Sequence, residues 1–134
     1  MIVELEDRWI IRLRGITVSA VSQIPDDRGL IVEMGDGQVV LKTSGCVRLT
    51  TGPGSAPDAV LVIGDEVAEL VGSTVLSLVA FKTGSLRAIF STGHHLNVRG
   101  ADPGATGHLE IPGVFDWSSC QGVGRMRLSD PDGT

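Results

Sequence analysis

Apolar and polar positions alternate with a period of two through most of this chain, and the alternation is written twice. Residues 13–43 and 70–99 carry one pattern, offset by 57 residues at the start and 56 afterwards. Leu13, Gly15, Thr17 and Val18 recur as Leu70, Gly72, Thr74 and Val75. Leu30, Val32, Met34, Gly37 and Val40 recur as Leu86, Ala88, Phe90, Gly93 and Leu96. A period of two, rich in β-branched residues, is the mark of strands with one buried face. The first copy reads as strands over 16–24, 30–34 and 39–43, and the second as strands over 75–81, 86–90 and 94–99. Each set predicts a three-stranded antiparallel meander.

Turn chemistry punctuates both copies. Pro25 to Gly29 combines a preset φ, an aspartate pair that bonds nearby backbone, and a glycine that accepts φ > 0. Gly35-Asp36-Gly37 is the strongest hairpin signal in the chain, with Thr83-Gly84 and Thr92-Gly93 as its tighter counterparts. A Gly/Pro/Ser/Ala stretch from Thr50 to Pro57 separates the halves. A short helix is expected over residues 65–71, capped by Asp65 and left through Gly72. Trp9, Ile11 and Leu13 suggest a strand leading into the first meander. Residues 100–113 read as loop, 114–119 and 125–128 as a last hairpin, and Asp130 to Gly133 as a tail. The expected architecture is mainly β: two pseudo-repeated three-stranded meanders forming a sandwich or a small barrel, with one short helix. The expected core is Val18, Ile24, Leu30, Val32, Met34 and Val40 from one half. Val75, Val79, Phe81, Leu86, Phe90, Leu96 and Val98 come from the other.

The arrangement resembles a family of small, mostly actinobacterial proteins classified as a domain of unknown function. Leu70, Gly72 and Val75 carry the opening of that pattern. Gly84, Leu86, Phe90, Gly93, Leu96 and Val98 carry its hairpin, and Asp116, Trp117, Gly124, Pro131 and Gly133 its ending. The chain departs from the pattern in the long glycine-rich stretch before Trp117 and in the unspaced run Phe115-Asp116-Trp117. The resemblance implies no activity, cofactor or site.

Length and composition then narrow the function. The chain has 134 residues, enough for a single domain spanning 1–134 with a sizeable core. The net charge is −5, with Lys and Arg scattered singly. That argues against nucleic acid and against an anionic membrane, both of which need a clustered basic field. No apolar run approaches a membrane span, and the acidic N-terminus is not a signal peptide. The expectation is a cytoplasmic protein in which Cys46 and Cys120 are thiols rather than a disulfide.

Candidate chemistry is sparse. His94 and His95 are adjacent and point to opposite faces of a strand, so they cannot share an ion. Adding His108 with Asp102 or Glu110 would complete a zinc set, but no ligand spacing supports it. No Gly-x-Ser-x-Gly elbow and no phosphate loop occur. Ser85, Ser91 and Thr92 near His94 are ordinary turn residues. Cys120 has no basic activator nearby in sequence. Trp9 and Trp117 lie on apolar alternations and suit core anchoring better than ligand stacking. No catalytic, metal or cofactor residue is therefore assigned.

What remains is a non-enzymatic protein-binding module, with an immunity or antitoxin-like role as one form. A small-molecule-binding β-barrel is the alternative, and an enzyme with an unrecognised site comes third. One asymmetry points to where binding occurs. Opposite the expected core the first copy carries Thr17, Ser19, Val21 and Gln23, whereas the second carries Thr74, Leu76, Leu78 and Ala80. A strand apolar on both faces needs a cover. The helix over 65–71 could fold back as that cover, offering Val67, Leu70 and Val71, but it is short for the whole strand. Leu76, Leu78 and Ala80 are thus the expected interface, with a second copy of the chain or another protein.

Overall fold

The computed structural model describes residues 2–13, 15–24, 29–44, 47–51, 60–61, 68–100, 106–120 and 122–128. Thirteen strands run through them. These are β1 (Ile2–Glu4), β2 (Arg8–Ile11), β3 (Val18–Ile24), β4 (Gly29–Met34), β5 (Val39–Ser44), β6 (Val47–Thr51) and β7 (Val60–Leu61). They continue as β8 (Val75–Phe81), β9 (Leu86–Phe90), β10 (His94–Val98), β11 (Thr106–Ile111), β12 (Phe115–Cys120) and β13 (Val123–Leu128). All pairings are antiparallel. The first sheet has the order β1-β2-β8-β9-β10-β6-β7 and the second β13-β12-β11-β5-β4-β3. Both are open, and a single apolar cluster draws on both, so the molecule is a sandwich rather than a closed barrel.

The two expected meanders are β3-β4-β5 and β8-β9-β10, and each lies in its own sheet. They meet at Thr17 and Thr74, which form an isolated antiparallel bridge. The bonds around it exchange into one another under a 57-residue shift. Gly15 N–H donates to Val75 O as Gly72 N–H donates to Val18 O, both at 2.9 Å. Val75 N–H donates to Ile16 O as Val18 N–H donates to Ser73 O, both at 2.8 Å. Gly15 and Gly72 precede the bridge with φ of 93° and 90°, a conformation that side chains disfavour.

The correspondence runs further than the meanders, and the strands that extend it cross over. After β5 the chain leaves its own sheet and β6 pairs with β10; after β10, β11 pairs with β5. One rung of the second sheet therefore reads Val21, Val32, Leu41, Leu109, Trp117. The matching rung of the first sheet reads Leu78, Ala88, Leu96, Leu49, Val60. Each half thus completes the sheet of the other.

Several expectations need correction. Leu41, not Val40, is the partner of Leu96: the turn at 91–93 is one residue shorter than that at 35–38, and Val40 is half-buried on the outer side. Both first strands carry a register shift at matching places, between Val18 and Ala20 and between Val75 and Ser77. A bulge of this kind inverts the parity of everything after it. Val79 and Phe81, expected in the core, are half-buried and lie on the outer parity, whereas Leu78 and Ala80 are buried. Residues 106–111, expected as loop, form β11, an interior strand; Gly107, Leu109 and Ile111 face in. Of the expected helix, residues 65–67 lie outside the described residues. Residues 69–72 form a turn closed by Val71 N–H to Ala68 O and Ser73 N–H to Leu70 O. The turn at 25–28, the stretch 52–57, the tail, Cys46 and the side chain of Ile24 also lie outside the described residues. Trp9 and Trp117 are both core residues.

Candidate functional site

The expected interface does not form one surface. Leu76 is 41% exposed, but Leu78 and Ala80 belong to the core at 1% and 0%. The bulge at Val75/Ser77 puts Ser77, Val79 and Phe81 outward in their place.

The outer face of the first sheet follows from the registers. Ile10 opposes Val79, Val79 opposes Arg87, and Arg87 opposes Asn97. In neighbouring rungs Arg8 opposes Phe81, and Ser77, Ile89 and His95 form a row. Ile10, Val79, Phe81 and Ile89 are half-buried without belonging to the core cluster or packing against it. Two guanidinium groups stand over the Phe81 ring, Arg8 at 4.7 Å and Arg87 at 5.5 Å from its centroid. Arg8 is held at 3.0 and 2.8 Å by Asp7, whose carboxyl that contact keeps below its usual range. Among the described residues no carboxylate pairs with Arg87. Burial, and then the nearby charge of Arg87, push the His95 imidazole below its ordinary pKa.

The outer face of the second sheet has the opposite character. One row holds Ile31, Lys42, His108, Ser118 and Arg125; the next holds Glu33, Val40, Glu110, Asp116 and Arg127. His108 Nε2 lies 2.7 Å from Asp116 Oδ1, and Arg127 lies 3.5 Å from the other carboxylate oxygen. Glu110 sits directly opposite Asp116. One ligand atom from each of His108, Glu110 and Asp116 falls within 4.8 Å of the others.

The remaining candidates separate. His94 is buried on β10 in the first sheet, with Nδ1 2.7 Å from Thr92 Oγ1 and Nε2 3.4 Å from Glu69. It is therefore on a different sheet from His108, and the zinc set that combined them is not assembled. Ser91 accepts from Thr74 N–H and Ser85 from Gly100 N–H, so each hydroxyl braces the backbone of a segment distant in sequence. Cys120 is an exposed free thiol. At one end of the sandwich a cleft of about 510 Å³ is lined by Leu13, Ile16, Val39, Ile111, Asp36 and Gln38, among others. Among the described residues no helix is long and apolar enough to cross a membrane.

Asp116, Arg127 and the outward row of the first sheet escaped sequence reasoning. The alternation of Leu109 and Ile111 with His108 and Glu110 is a strand pattern that the loop reading of 100–113 passed over. The facing of Asp116 on Glu110 needed the register. No curated protein and no solved structure matches the chain. A family profile, described as a family of unknown function (DUF6188), matches residues 9–107. That match spans both meanders and stops inside β11, so the Asp116–Trp117 run lies beyond it. Since it covers most of the sandwich, the chain belongs to this family of unknown function, DUF6188.

Proposed function

We propose that the protein is a non-enzymatic protein-binding module whose docking surface is the outer face of the first sheet. The observation that carries this reading is the row Ile10, Val79, Phe81 and Ile89 beside Arg8 and Arg87. Aromatic and arginine side chains among aliphatic ones are the composition that protein interfaces favour. The counterparts of Val79 and Ile89 in the second sheet are Ser22 and Glu33, so an apolar residue at those two positions is not a demand of the fold. The partner is another protein that places apolar side chains on Val79 and Ile89 and a carboxylate against Arg87. A second copy of the chain fits less well, because an isologous contact centred here would bring Arg87 of both copies together. A sequestering role of the immunity or antitoxin type is one use of such a module.

The test is a photo-crosslinking residue placed at Ile89 and, separately, at Glu33 in the native host. The expected result is one heteromeric adduct from Ile89, lost on Arg87→Glu, and none from Glu33. Equal labelling from both positions, or a homodimeric adduct alone, would refute the reading.

The second reading, a small-molecule binder, rests on the cleft of about 510 Å³. Its size and its apolar walls with two polar groups, Asp36 and Gln38, suit a small ligand. A metabolite panel that raises the melting temperature of the native chain but not of Val39→Arg would support it.

A further inference from the structure

We propose that His108, Glu110 and Asp116 form a binding site for a divalent transition-metal ion of the zinc class on the outer face of the second sheet. His108 and Glu110 are two residues apart on β11 and so share a face, and Asp116 enters from β12 in register with Glu110. Their ligand atoms lie within 4.8 Å of one another, and bond lengths of roughly 2 Å would draw them to within about 4 Å, a closure that side-chain rotation can supply.

Three features make this more than a scatter of surface charge. First, Glu110 and Asp116 are like charges directly opposite on adjacent strands, a pairing that destabilises a sheet unless a cation lies between them. Second, all three side chains are half-buried on interior strands of the sheet, so the set is held by the ladder rather than by a loop. Third, the donor set is one imidazole and two carboxylates. Imidazole selects a borderline ion over magnesium or calcium, which take oxygen. Arg127 contacts only the second oxygen of Asp116, and its side chain is 83% exposed, so it can swing aside. The three side chains lie on the outer face of the sheet and are only half-buried, which gives water access as a further ligand. Sequence spacing could not show the set, because its third member comes from the next strand. The ordinary alternative is a plain His108–Asp116 hydrogen bond with Arg127 near the second carboxylate oxygen.

The experiment titrates zinc into the full-length, metal-free chain against a chromophoric chelator. One equivalent should bind. His108→Ala and Asp116→Asn should each weaken it by roughly tenfold or more, as expected for loss of a ligand. Both should retain the circular dichroism of the native chain, whose melting temperature zinc should raise. His95→Ala and Cys120→Ser should bind as the native chain does. The proposal is overturned if no stoichiometric binding occurs. It is equally overturned if binding survives both ligand substitutions or disappears in Cys120→Ser.

Discussion

Single residues decide more here than their chemistry suggests. Leu76 and Leu78 are two apart and chemically identical, yet one is 41% exposed and the other 1%. Leu78→Asp is therefore expected to unfold the chain at every concentration, since a lone buried charge has no partner. Leu76→Asp should stay folded, and circular dichroism melts of the pair check both. Phe90 is fully buried, and Phe90→Ala should cost roughly 3–5 kcal/mol in a denaturant titration. His95 carries a pH signature. Its folded pKa is depressed, so the unfolded chain takes up the proton first as pH falls. The His95 contribution is thus complete above the ordinary histidine value of about 6.5. It is lost as pH falls from there through the lower folded value. Arg87→Gln should raise the His95 pKa seen by NMR only part of the way, because burial is the larger cause.

At the level of elements, two matched bulges set which residues face in. They occur at equivalent positions of β3 and β8, next to the Thr17–Thr74 bridge, where the strands leave one sheet's pairing for the other's. A strand read as strictly alternating gets every later residue on the wrong face, which is why Val79 and Phe81 were expected inside. The junction at the opposite end is backbone-tight. Gly124 N–H donates to Lys82 O, and a Cβ on Gly124 would sit 2.3 Å from Phe81 O and 2.9 Å from Trp117 Nε1. Gly124→Ala must displace β13 or the turn after β8. The expected outcome is a clear drop in melting temperature with loss of amide protection in β13, and an unchanged melt would show that this approach is loose.

Across the whole molecule, the exchange of β6 and β11 makes the two halves inseparable. A fragment ending after residue 61 would hold β6 without β10 and leave β5 without β11. The same reasoning applies to the family match, which stops at residue 107. Leu109, Ile111, Phe115 and Trp117 follow it and are all buried. A chain cut after residue 107 is expected not to fold, whereas the full chain should melt in one transition seen alike by far-ultraviolet circular dichroism and tryptophan fluorescence. Two non-coincident transitions would mean that the halves are independent after all.

The sequence by itself determined the strands of both meanders, the turns at 35–37, 83–84 and 92–93, the repeat that relates them and the burial of both tryptophans. Each of these rests on local order: a period of two, glycine where φ is positive, and an apolar side chain that must leave water. Even the asymmetry between the two copies was legible, since β8 is apolar on both faces. Only the tertiary structure decided which residues make that outer face, because a bulge is a property of pairing and not of one strand's composition. It also decided that β11 is an interior strand, where a glycine-rich segment reads as loop until its neighbours supply the hydrogen bonds. The facing of Glu110 on Asp116, and of Arg87 on Phe81 and Val79, has the same origin. Register joins residues that no spacing along the chain connects.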